Sequence, residues 1–381
     1  MNTNHDRDSA PETLYSARFR WMLLIGCALA LLLGLLRVTR RNEPVPNSSS
    51  AGAAPAEASA VSAGVERSRW VPHRTGAAPA LTAEEIVAGK LAQFTRSRRE
   101  LAREMARRKG IAVPDEVERF FDALEAGHWE EIDRQFNALS KRIGHKDGAT
   151  LDGVWPAVLD AYGAAQEVHE WPAQKLLDYG NAILDSLRPG MVYVGGTDEG
   201  RWIPELLNET SGREPHIIVT QNALADGRYV EFMNTLYGDR FAALTAEDLQ
   251  RATQEYLADA QRRFLHDEQF PAEPRQLRSG EDVKRVDGKV QVSGDGQVGV
   301  MAINERLLQA LMARNPDLAF AVQESFPLRG TYADALPLGP LMELGARNDQ
   351  NAFTPERATQ SLDYWRNKAQ EVLSEIGRAH V

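Results

Sequence analysis

Cysteine is nearly absent, with Cys27 the only one in 381 residues. A single thiol excludes an intramolecular disulfide, and no Cys/His set with zinc-ligand spacing can be assembled around it, so no metal is expected. Excess positive charge is lacking as well. The chain's 44 Lys and Arg stand against 54 Asp and Glu, a formal charge of −10. That balance leaves no surplus to release counterions from phosphates and excludes a general nucleic-acid binder. Glycine and proline are too few for a collagen-like or wholly disordered chain, and 43% hydrophobic residues suit one or two globular domains.

Long apolar runs are scarce, and the one present is short. Residues 21–36, WMLLIGCALALLLGLL from Trp21 to Leu36, are flanked by Arg18 and Arg20 and by Arg37, Arg40 and Arg41. A bilayer core takes about 20 apolar residues and at least about 17, so the run is expected to be a single-pass anchor with snorkelling arginines. A cleaved signal peptide is the alternative, but RVTRR is not a small-residue cleavage site. Leu24, Ile25, Gly26 and Cys27 resemble a lipobox in the wrong order, because the apolar stretch follows the cysteine. Arginines tie across the span and set no orientation. Residues 42–80, rich in Ala, Pro, Ser and Gly, cannot bury enough surface to offset ordering and are expected to be a disordered tether. Such a tether after one span suggests a membrane-anchored protein with its bulk outside the cytoplasm, behind an N-terminal tail at 1–20.

Residues 82–187 are helical by pattern. Thr82 and Glu85 form a capping box, and Val87, Leu91, Phe94, Leu101 and Met105 recur at near-heptad spacing until Gly110. The other face carries Arg96, Arg98, Arg99, Arg103, Arg107, Arg108 and Lys109 among Glu100 and Glu104. It is read as a solvated face, with a protein partner or anionic lipid as the functional alternative. Pro114 opens a helix pair joined at Gly127, which resembles one unit of a tetratricopeptide-type repeat without a second copy. Trp155, Tyr162, Trp171 and Tyr179 are expected to be core aromatics.

From residue 189 to 374 short apolar runs alternate with helices. Strands are expected at 191–194, 216–221, 241–244, 318–323 and 341–344, with a small hairpin about Asp287-Gly288, a helix capped by Asn304, and a last helix opened by Thr354-Pro355. This alternation predicts an α/β fold with a mostly parallel, Rossmann-like sheet and helices on both faces. In such sheets ligands bind beyond the strands' carboxyl ends. The candidate ligand-binding residues there are Gly195, Gly196, Thr197, Asp198, Arg201, Gln221, Asn222, Asp226 and Glu324. The glycines admit close backbone approach and the following helix N-terminus favours an anion. Asp198, Asp226 and Glu324 offer oxygen ligands to a hard cation as an alternative. Gly195-x4-Gly200 has Walker A glycine spacing without its Lys or Ser/Thr. Residues 196–200 look like a nucleophile elbow with Asp198 as nucleophile, for which His266 would complete a triad only by default. The plain alternative is a strand-to-helix turn capped by Thr197 or Asp198.

At GMVYVGGTDEGRWIPELL, HIIVTQNALADGRYVEFMNTLYGDR, DGKVQVSGDGQVGVMAINERLL and AFAVQESFPL the chain resembles the carboxyl-terminal soluble region of a family of bacterial multi-span membrane proteins. The membrane part of that family is similar to glycosyltransferases using lipid-linked sugars, including protein O-mannosyltransferases. Thr197, Asp198, Arg201, Gln221, Asn222 and Asp226 match the family's motif positions, which carry no assigned role. The multi-span part has no counterpart here, so the resemblance implies a domain role alone.

Residues 375–381, EIGRAHV, read as the translation of a common sequencing adapter and are left out of fold reasoning; the natural chain is then expected to continue past Ser374. The sequence names no cofactor and no reaction. It supports a single-pass, extracytoplasmic ligand-binding or protein-scaffolding module holding a small polar ligand or a partner chain. An enzyme acting on sugars or phosphosugars at the same strand ends is the alternative.

Overall fold

The computed structural model describes residues 81–145, 148–294, 296–323, 334–345 and 354–379. The expected anchor, the tether and Glu324 lie outside them. Helix α1 (Ala83–Lys109) begins at the capping box, where the Thr82 hydroxyl accepts from the Glu85 amide at 3.2 Å and the Glu85 carboxylate accepts from the Thr82 amide at 2.8 Å. It ends at Gly110, whose φ of 65° suits a residue without Cβ. Helices α2 (Asp115–Ala126) and α3 (Trp129–Ser140) make the hairpin about Gly127, and α4 (Ala149–Asp152), α5 (Trp155–Glu170) and α6 (Ala173–Leu184) follow. Phe136 stacks on Tyr162 with centroids 3.6 Å apart and on Trp155 at 5.2 Å. Trp171 departs from expectation: it follows the end of α5, remains 37% exposed and leans on Tyr179.

Strand β1 (Val192–Gly195), α7 (Glu199–Glu209), β2 (Ile217–Thr220) and α8 (Gly227–Tyr237) form the expected β-α-β-α run. Then come α9 (Ala246–Gln269), the hairpin β3 (Val283–Val286) and β4 (Lys289–Val292), α10 (Gln297–Arg314), β5 (Phe320–Gln323), β6 (Leu336–Leu338), β7 (Leu341–Leu344) and α11 (Pro355–Ala379). The main sheet runs β2-β1-β5-β7-β6. Its first three strands are parallel, whereas β7 is antiparallel to both β5 and β6. The fold is therefore α/β with a mixed sheet, not a mostly parallel one. A parallel neighbour needs a crossover of a dozen or more residues, and β6 and β7 are joined by a tight turn through Gly339, φ 58°.

Two further expectations are overturned. Residues 241–244 form no strand; the Asn315 side chain accepts from the Ala242 amide at 2.9 Å and donates to its carbonyl at 3.0 Å, taking up the groups a ladder would have paired. Asn304 caps nothing. It is 1% exposed in the middle of α10, which starts at the Gly296 cap.

Every residue of β1 and β2 is buried. Val192, Val194, Ile217, Val219, Phe320 and Val322 face the core shared with α8, α9, α10 and the α2–α3 hairpin. Tyr193, Ile218 and Ala321 face Ile183 and Leu187 on the other side. Helix α7 packs Ile203, Leu206 and Leu207 against Val87 and Phe94 of α1 and Leu176 of α6. The crossing of α5 and α7 rests on one small residue, because a Cβ at Gly163 would lie 2.0 Å from the Trp202 ring.

Candidate functional site

The site grows from the end of β1. Gly195 lets the first turn of α7 settle on the strand, since a Cβ there would meet Arg201 Cβ at 3.1 Å and Arg201 N at 3.2 Å. Thr197 supplies the turn's side-chain cap, its hydroxyl accepting from the Gly200 amide at 3.3 Å. Asp198 occupies the N-cap position in helical backbone, and its carboxylate makes no capping bond. Tyr193 adds a tie, its hydroxyl 2.7 Å from the Gly200 carbonyl and 2.9 Å from Gln323 Oε1.

Helical spacing on α7 aligns Asp198, Arg201, Glu205 and Glu209 along one face. That face is buried against α1 and α5, where Arg98 is 0% and Asp160 0% exposed. Asp160 receives Arg98 Nε on one oxygen and Arg201 Nη1 on the other. Glu205 accepts from Arg98 Nη2 at 2.9 Å and pairs with Arg201 through its other oxygen. Glu209 lies 2.6 Å from Arg98 Nη1 as an ion pair without hydrogen-bond alignment, and accepts from the Ser97 hydroxyl. Asp198 has one long contact, 3.3 Å to Arg201 Nε. The Arg98 guanidinium also sits 4.0 Å from the Phe94 ring centroid, and Arg201 5.5 Å from that of Tyr229.

Burial works against every charge here, and the partners decide the outcome. It alone would raise the Asp160 carboxyl, but Arg201 and Arg98 outweigh it and hold the group below its ordinary range. Burial followed by the neighbouring Asp160 charge pushes Glu205 up to about 8 despite the two arginines. Asp198 is raised by burial, with Arg201 opposing. A raised carboxyl is the usual mark of a general acid. With side chains 3% and 4% exposed, Glu205 and Asp198 are closed to a substrate arriving from solvent.

The remaining candidates form a separate corner beyond β2. The Thr220 hydroxyl donates to Asn222 Oδ1 at 2.9 Å. Asn304 reaches across from α10, donating to the Asn222 carbonyl at 3.0 Å and accepting from the Ala225 amide at 2.9 Å. Asp226 caps α8 through the Arg228 amide at 2.9 Å and pairs with the Arg228 side chain. Gln221 is 2% exposed, and its Oε1 has no hydrogen-bond partner among the described residues.

The structure thus brings Gly195, Thr197, Asp198 and Arg201 together, with Gly196 buried in the same loop; Asn222 and Asp226 make their hydrogen bonds after β2, and the Asp226 charge still acts on Asp198. Of the hard-cation set, Glu324 lies outside the described residues, Asp198 and Asp226 each pair with an arginine, and no group of three or more metal-type side chains forms among the described residues. His266 stays near the end of α9, 3.3 Å from Glu273. Sequence reasoning missed Asp160, Glu205, Glu209 and Asn304, and placed Arg98 on the outer face. The i,i+4 run Arg201, Glu205, Glu209 was the available signal.

The basic face of α1 is largely spent within the chain. Arg99 pairs with Glu118, Asp122 and Glu125, Arg103 with Glu118 and Glu100, and Arg107 and Arg108 with Glu104. A cleft of about 320 Å³ lies beside Phe264, Asp267 and Leu277, and one of about 180 Å³ beside Lys90, Asn208 and His216. No strand-end candidate among the described residues lines either. Among the described residues no helix is long and apolar enough to cross a membrane. No family model, curated protein or solved structure matches the chain.

Proposed function

We propose that the chain is a single-pass, membrane-anchored scaffolding protein of the bacterial inner membrane, whose α/β body stands in the periplasm and presents α11 to an amphipathic helix of a partner. The observation carrying this reading is the apolar stripe on α11. Leu362, Trp365, Val372 and Leu373 are 54–66% exposed, and they are four of the eight large hydrophobics left exposed among the described residues. Leu362, Trp365, Ala369 and Val372 follow a heptad seam, while Tyr364 and Lys368 turn toward the body. Single exposed apolar residues are ordinary; a continuous stripe marks an interaction surface. Residues 21–36 supply the anchor in this reading, and residues 42–80 the reach.

The test places a photo-crosslinking residue at Trp365 or Val372 in the membrane-embedded full chain, with Asn367 on the opposite side of α11 as control. Adducts from 365 and 372 that map to a helix of another protein, and none from 367, support the reading. Adducts to lipid alone, or none at all, overturn it.

A second reading, a small polar ligand at the strand ends, is favoured by the unpartnered Oε1 of buried Gln221. The β1-α7-β2 unit is then Rossmann-like in use, because β1 lies between β2 and β5 and the connections part there. A thermal-shift screen with sugars, sugar nucleotides, phosphates and divalent cations tests it. A binding shift abolished by Gln221→Ala and Asn222→Ala supports this reading, and no shift with any class removes it.

A further inference from the structure

The buried cluster holds two cations and four anions. Arg98 and Arg201 face Asp160, Glu205, Asp198 and Glu209, and only Glu209 reaches solvent appreciably, at 25%. With all six groups ionised the five buried ones would carry an excess of one negative charge away from water, with Glu209 adding another at the edge, which is unfavourable unless the excess is neutralised. The cheapest neutralisation is a proton retained on a carboxyl.

Geometry says where. Asp160 and Glu205 each meet both guanidiniums through both oxygens, and the arginines hold Asp160 below its ordinary range, so it remains the anion. Glu209 has solvent and Ser97. Glu205 competes with Asp160 for the same two guanidiniums, and Asp198 has only its long contact to Arg201. Of the histidines on or beside the packed elements, His169 of α5 stacks on Trp129, and His216, just before β2, is tied through its backbone to Asn208 of α7 and held below its ordinary value by burial. From α8 come the Tyr229 and Tyr237 hydroxyls, both raised by burial, and Asp226, whose charge further disfavours an ionised Asp198.

We propose that this cluster is a proton-loaded clamp: a proton shared on the Glu205–Asp198 side fastens α7 to α1 and α5, and its release as pH rises through neutrality loosens α7 together with the Gly196-Thr197-Asp198 loop. The proton belongs to the coupled group rather than to one residue. The sign follows from linkage. A carboxyl raised in the folded state binds more protons there than in the opened chain, so the clamp is strongest in mild acid and weakens up to a folded value of about 8. This device does not depend on the role proposed for α11.

The experiment is hydrogen exchange of the full-length protein in detergent micelles, following α1 and α7 amides from about pH 5 to about pH 9 after correction for intrinsic rates. Each unit by which pH rises towards the folded value should raise the opening constant up to about tenfold in the wild type. Glu205→Gln, permanently neutral, should flatten most of that dependence while Glu209→Gln keeps it. Because Glu205→Gln can fail to fold, the infrared C=O stretch of a protonated buried carboxyl is followed in the wild type. Its presence near pH 6 and loss above pH 8 support the clamp. Absence of that band near pH 6, or identical pH dependence in wild type and a folded Glu205→Gln, overturns it.

Discussion

Arg98 of α1 and Arg201 of α7 hold opposite oxygens of one carboxylate, that of Asp160 on α5. Three helices distant in sequence are fastened at a point where water is excluded. Asp160 is the acceptor that both arginines share, so its loss leaves buried guanidinium donors, Arg98 Nε first, without a hydrogen-bond partner while Glu205 still pairs with both.

Asp160→Ala should therefore destabilise the protein by about 3–5 kcal/mol, read from the midpoint of urea unfolding. A loss under about 1 kcal/mol would show that the cluster is dispensable. Because the folded Asp160 carboxyl lies below its ordinary value, its contribution is present above about pH 4, the unfolded value. It disappears as pH falls through the lower folded value. Acid unfolding of the variant should accordingly lose part of its steepness.

Gly163→Ala should be unusually costly for so small a change. The added methyl meets the Trp202 ring at 2.0 Å, and Trp202 is itself fully buried, so α5 and α7 must separate. The expected loss is about 1–3 kcal/mol or more, with a change in tryptophan fluorescence. Combining it with Trp202→Leu should return part of the stability; no recovery would place the strain elsewhere.

Asn304→Ala removes both bonds that tie α10 to the segment after β2, leaving the Ala225 amide and the Asn222 carbonyl without that partner. A loss of about 1–3 kcal/mol is expected, together with faster exchange of the Ala225 amide. Unchanged exchange at Ala225 would contradict the bridge.

Deletion of residues 21–36 should release the chain from membranes, whereas the intact protein should resist high-salt washing. A reporter fused after Ser374 should be active only when exported. Activity confined to the cytoplasm would reverse the proposed topology.

Local signals were legible wherever one or two neighbouring residues decide the backbone. Thr82 closes a capping box at the expected helix start. Asp287 and Gly288 adopt the positive φ values, 49° and 76°, of the expected two-residue turn. The turn after β1 was legible in its plain form too, with Thr197 as its cap. Asn304 misled because an asparagine in a polar stretch looks like a cap, and nothing local reveals backbone groups that need it from elsewhere in the chain.

The sequence by itself determined the composition limits, the alternation of helix and strand, the caps and turns, and the loop where β1 meets α7, since these depend on residues a few positions apart. Only the tertiary structure decided that β7 runs antiparallel beside β5 and that Arg98 leaves the outer face of α1 to meet Asp160 and Glu205. It also decided that Asp198 and Arg201 are buried in a charge cluster rather than displayed in a cleft. Periodicity shows that a face is polar, but whether that face meets water or an opposite charge depends on elements brought beside it by the burial of distant apolar residues.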